Sequence, residues 1–245
     1  MTTNEILLYV SEWLGVIAII WALRLIPAFQ FKPVGFVHPM REGIVSLSLF
    51  TSMLLVAIVV MMGRTQYSLG TPALVPPVLW VRLVVGVIGL LVFGLSLLTR
   101  RQPLLSVGWN PKRLSNSARL ALVMGILSIF LRGKAFTVTN GFTPTEVTTL
   151  LVWLGIALSE ETIFRGFIQM RLNAWMGERY GWLATAVLFV IWSVPFALAD
   201  PATMAFRLVF VLAQALILGY LAQKAGHILP VWIYRAISEW LVFAV

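Results

Sequence analysis

Apolar residues run along this chain in stretches of about twenty, separated by short polar or Gly/Pro-rich breaks. A stretch of that length, coiled as a helix, crosses a hydrocarbon core of about 30 Å. About eight emerge. The first runs from near Ile6 to Phe29, the second from Gly43 to Met62, the third from Ala73 to Leu98, and a shorter fourth from Ala118 to Leu131. After a polar connection, Arg132 to Glu146, the fifth runs from about Val147 to Met170, the sixth from Gly181 to Ala199, the seventh from Ala205 to Gln223 and the eighth from His227 to Val245. In lipid every backbone polar group must be satisfied internally, so each long apolar stretch predicts a helix. Short connections make neighbouring helices antiparallel. The expected fold is all-α, a polytopic integral membrane bundle of about eight helices, with no soluble domain, repeat or low-complexity tract.

Composition agrees. The 245 residues are 60% hydrophobic and 11% charged, and the mean hydropathy is +0.94. Soluble domains average about 45–50% apolar and about 25% charged, so soluble, disordered and fibrous classes are excluded. Cysteine is absent, which removes disulfides, thiolate metal sites and a cysteine nucleophile.

The formal net charge of +9 would suggest nucleic acid in a soluble protein. Here the basic residues fall in connections: Arg24, Lys32 and Arg41 in the first, Arg100, Arg101, Lys112, Arg113 and Arg119 in the third, Arg171 and Arg179 in the fifth, and Lys224 in the seventh. The even-numbered connections hold only Arg64, Arg132, Lys134 and Arg207. The positive-inside bias then places the odd connections in the cytoplasm and both termini outside. The expected partners are membrane lipids with anionic headgroups, and no nucleic acid. Met1 to Glu5 has no basic residue and Glu12 interrupts the first span, so an uncleaved helix is expected there, not a signal peptide.

An ionisable side chain within a membrane helix costs a few kcal/mol on insertion scales, which makes each one a functional candidate with a partner to be found. The fifth helix holds Glu160, Glu161 and Arg165, and the eighth holds Arg235 and Glu239. Glu161 and Arg165 are four apart and share a helix face, with Glu160 about 100° around from them. Arg235 and Glu239 are also four apart. These groups form either ion pairs that lock the bundle, with Arg235 bridging to Glu160, or a reactive site. Two adjacent carboxylates in a low dielectric cannot both ionise cheaply without cations, so one of them is a candidate general base.

The run Glu160-Glu161-Thr162-Ile163-Phe164-Arg165-Gly166 resembles the EExxxR signature of the CPBP family of CAAX-processing and bacteriocin-processing (Abi) intramembrane proteases. The resemblance covers roughly Val147 to Val245, a four-helix core, with residues 1–146 supplying about four further helices. It implies an endopeptidase that cuts a membrane-associated protein or peptide in a prokaryotic cell membrane. The family's second motif, FxxxH, falls on Phe189 to Ser193, with serine where the histidine stands, and the third, HxxxN, places Arg235 at the histidine and Glu239 at the asparagine. The resemblance thus points to Glu160, Glu161, Arg165, Ser193, Arg235 and Glu239 as the catalytic set.

Those two replacements bear on the chemistry. Zinc, which the family allows, wants three His or carboxylate ligands. Serine is a poor ligand and arginine none, so no metal and no other cofactor is expected. A metal-free mechanism would have Glu160 deprotonate water while Arg235 or Ser193 stabilises the oxyanion. The alternative is a degenerate relative, a pseudoprotease that binds a membrane partner to regulate it or confer immunity. A transporter using charges near the mid-membrane is a third class, disfavoured by the absence of repeated halves.

Overall fold

The computed structural model describes residues 3–26, 35–64, 75–198 and 201–242. Phe29, Lys32, Ala73, Ala199 and the last residues to Val245 lie outside them, as does Met1. The described chain is helical, with no strand. Three long helices come first: α1 (Thr3–Leu23), α2 (Pro39–Arg64) and α3 (Pro77–Thr99). Two 3-10 turns, Leu104–Val107 and Pro111–Arg113, lead into α4 (Leu114–Leu131), and a short α5 (Ala135–Thr139) precedes α6 (Pro144–Glu161). A π-helical segment, Thr162–Ile168, joins α6 to α7 (Gln169–Met176), followed by α8 (Glu178–Ala197), α9 (Pro201–Ala225) and α10 (Leu229–Trp240).

Among the described residues, seven helices are long and apolar enough to cross a membrane, the fifth being the 33-residue run Pro144–Met176. The protein is an integral multi-pass membrane protein. The eighth expected helix is present as α10, whose 12 described residues reach about 18 Å. The fourth helix begins at Leu114, earlier than the hydropathy suggests, directly after a turn that Asn110 caps by accepting from the Lys112 N–H at 3.1 Å.

In lipid, helices associate by close packing and polar contacts rather than by escaping water. Small residues permit that packing at two places on α3: a Cβ on Gly86 would stand 2.5 Å from Ser159 Oγ, and one on Gly89 2.6 Å from Met53 Sδ. Gly94, further along the same helix, has no atom within 4 Å of that position and packs against nothing. Aromatic rings fill the middle. Phe164 meets Phe189 edge-on with centroids 4.9 Å apart, and Phe93 meets Phe167 at 4.8 Å. Trp175 lies against Gly43, and Trp182 lies against Gly219 and donates to the Leu216 carbonyl at 2.9 Å. Pro195 is accommodated in the last turn of α8, and Pro230 opens α10, where its missing N–H costs nothing.

Candidate active site

The start of α6 is fixed by a reciprocal capping box. Thr143 Oγ1 accepts from the Glu146 N–H at 3.3 Å, while the Glu146 carboxylate accepts from the Thr143 N–H at 2.7 Å, with Pro144 in the first turn. From that anchor α6 runs inward to Glu160 and Glu161, both fully buried. The helix then widens into the π segment carrying Arg165 and Gly166, all seven residues of which are buried. Insertions of this kind are frequent at functional sites. A tight contact accompanies it: a Cβ on Gly166 would lie 2.3 Å from the Val107 carbonyl oxygen, so only glycine lets this backbone meet the turn after α3.

Glu160 receives four donors. Arg82 on α3 grips it with Nε 2.6 Å from Oε1 and Nη2 2.9 Å from Oε2. Trp192 Nε1 donates to Oε1 at 2.8 Å, and Arg235 Nη2 to Oε2 at 2.5 Å. Glu161 receives Arg235 Nη1 on Oε1 at 2.6 Å, and Arg165 Nε stands 3.2 Å from its Oε2. The guanidinium carbons of Arg165 and Arg235 lie 4.4 and 4.6 Å from the centroid of Phe189, whose ring offers both cations its electron-rich π system. Two carboxylates thus meet three guanidiniums in the buried interior.

Of the six residues the sequence singled out, the fold gathers four: Glu160, Glu161, Arg165 and Arg235. Ser193 is buried but spends its hydroxyl on the Phe189 carbonyl at 2.9 Å, within its own helix. Glu239 lies one turn beyond Arg235 and is half-buried, and the Arg235–Glu239 pair expected from spacing is not among the ion pairs of the described residues. Arg235 reaches across to α6 instead. Two participants were not assigned to the site: Arg82, whose charge in an apolar helix was the signal, and Trp192, hidden among ten tryptophans.

Zinc does not fit here. The oxygens of Glu160 are taken by cations and an indole, the Ser193 hydroxyl faces a carbonyl, and among the described residues no three His, Cys, Asp or Glu side chains come together.

A second buried polar node binds the N-terminal helix to the site's back wall. Arg132 Nε contacts Glu12 Oε2 at 2.7 Å, and Ser238 on α10 donates to the same oxygen at 3.1 Å. His227, just before α10, accepts the Leu229 N–H on Nδ1 at 3.0 Å and meets Trp109 edge-on. The Gly108 carbonyl accepts the Ile228 N–H at 3.1 Å, fastening the turn after α3 to the start of α10.

No curated protein and no solved structure matches the chain. Residues 143–241, under half of its length, match the family described as type II CAAX prenyl endopeptidase Rce1-like. The match begins at the capping threonine of α6 and ends one residue past α10, enclosing the buried Glu160–Glu161–Arg165 motif, Phe189 and Arg235. Over these residues the chain is similar to that family of CAAX-type intramembrane proteases, in line with the resemblance that its EExxxR run carries.

Proposed function

We propose that the chain keeps the CAAX-protease scaffold but uses it to hold a membrane-associated protein or peptide without cutting it. The setting would be a prokaryotic cell membrane, as the bacteriocin-processing side of the family suggests. The observation that carries this reading is the occupancy of Glu160. An ionised carboxylate has about four acceptor positions, and four donors from Arg82, Trp192 and Arg235 fill them. A general base needs a lone pair within reach of a water proton. Glu160 has none to give. At the two positions where the family carries histidine, Ser193 is bonded within α8 and Arg235 is a permanent cation.

One observation favours hydrolysis. Glu161 Oε2 is buried and makes no hydrogen bond, only the ion pair to Arg165 at 3.2 Å, so of the motif oxygens it is the one least occupied by donors.

The experiment is cleavage of a fluorogenic prenylated CAAX peptide by the purified protein in liposomes, run beside binding of the same labelled peptide. The reading predicts retention without cleavage, equal for wild type and Glu161→Gln. Cleavage by wild type that Glu161→Gln abolishes would overturn it in favour of a metal-free protease. Failure to retain the peptide would overturn the binding role for this class of partner.

A further inference from the structure

The α3 C-terminus brings together two features that the motif charges do not use. The first is an apolar cavity of about 290 Å³, bounded by Phe93, Gly94 and Leu97 of α3, Leu104 and Trp109 of the following turns, and Thr162 of the π segment. Its polar lining groups satisfy each other, Trp109 Nε1 donating to Thr162 Oγ1 at 3.3 Å. The walls therefore offer hydrocarbon contact and no free donor. Leu104 is 63% exposed at its edge, and the space beside Gly94 is empty.

The second is a surplus of positive charge one helical turn above Leu97. Arg100 and Arg171 both pair with a single carboxylate, Glu42, and Gln102 Nε2 donates to it at 3.0 Å. Arg171 is fully engaged, taking the Ser106 and Phe167 carbonyls as well. Arg100 is not: its Nη1 is buried with no hydrogen-bond partner. The next residue, the exposed Arg101, sits in the left-handed region at φ 51°. It occupies the helix-ending position where glycine is the usual choice, with the Gln102 N–H reaching back to the Leu97 carbonyl at 3.0 Å. An arginine held there against the steric preference of its Cβ adds a cation to a segment, residues 100–113, that contains no acid.

We propose that this corner binds one anionic phospholipid, its phosphate on Arg100 and Arg101 and one acyl chain in the cavity below. The cavity lies at the small end of the range for whole ligands, which suits a single chain. The arginines follow directly on a membrane-length helix, the depth at which lipid phosphates lie. Basic pockets between helices at that depth recognise anionic headgroups.

The test is native mass spectrometry of the full-length protein released from detergent at physiological ionic strength. Dioleoyl phosphatidylglycerol, dioleoyl phosphatidylcholine or inorganic phosphate is added separately. One phosphatidylglycerol should be retained in preference to phosphatidylcholine, with binding about fivefold weaker for each arginine lost in Arg100→Gln and Arg101→Gln. Gly94→Leu, which fills the cavity without touching a charge, should weaken both lipids. Arg101 is exposed, so its variant keeps the test valid should Arg100→Gln not fold. Equal retention of the two lipids, or no response to Arg101→Gln, would overturn the phosphate assignment. Retention untouched by Gly94→Leu would overturn the chain assignment. Inorganic phosphate displacing phosphatidylglycerol would make this a free-anion site instead.

Discussion

Arg235 spans the two adjacent carboxylates of the motif, with Nη2 on Glu160 at 2.5 Å and Nη1 on Glu161 at 2.6 Å. One planar cation therefore sets the spacing of both side chains, which lysine with its single ammonium cannot reproduce.

Removing that clamp should be severe. Arg235→Leu leaves two buried carboxylates short of a cation, and breaking a buried pair from one side costs about 3–5 kcal/mol. Thermal unfolding in detergent should show a midpoint lowered by roughly 10 °C, with Arg235→Lys recovering only part of it. A midpoint unchanged by Arg235→Leu would mean that the ion pairs do not hold the bundle.

Arg82 and Glu160 should be strongly coupled. Each single change, Arg82→Gln or Glu160→Gln, strands the other partner, whereas the double variant removes both charges together. The double variant should be less destabilised than the sum of the singles by about 1–3 kcal/mol. Strict additivity would contradict the bidentate contact between α3 and α6.

Gly166→Ala should destabilise and Gly94→Ala should not. The first puts a methyl 2.3 Å from the Val107 carbonyl oxygen, a backbone atom that cannot swing away, and the second adds one to open space. Overpacking of this kind costs about 1–3 kcal/mol. Comparing the two midpoints in one detergent checks the prediction with an internal control.

Acid should weaken the start of α10 through His227. Burial pushes this imidazole below its ordinary 6.5, and its Nδ1 must be unprotonated to accept the Leu229 N–H. The unfolded chain then binds the proton more readily than the folded one. The stabilisation is complete above about pH 6.5 and is lost as pH falls through the lower, folded value. His227→Asn, which keeps an acceptor and does not titrate, should flatten the acid limb of the midpoint-against-pH curve. A wild-type curve already flat between pH 7 and 5 would refute the role of His227.

Much of this arrangement was readable in the chain itself. Glu160, Glu161, Arg165 and Arg235 announce themselves as charges in apolar stretches, and the Arg235 bridge to Glu160 follows from their need for partners. Arg82 is equally conspicuous, but its partner lies 78 residues away, and no periodicity reports a distance of that kind. The π segment is silent for another reason. A helix buried on every side has no polar face whose period could slip, so the extra residue per turn leaves no mark. Gly94 and Gly89 look alike in sequence, and only their neighbours tell the packed one from the one beside a cavity. Ser193 and Glu239 were aligned by motif spacing, which fixes a residue's place on a helix but not the bonds that its own backbone claims first.

The family match starts at residue 143, while Arg82 and Val107 lie before it. A fragment limited to the matched residues would place Glu160 in lipid without its bidentate cation and leave the bare backbone at Gly166 uncovered. Expressed alone, residues 143–241 should misassemble, and supplying residues 1–142 as a separate chain should rescue them. The length of chain that similarity delimits is shorter than the length that can fold.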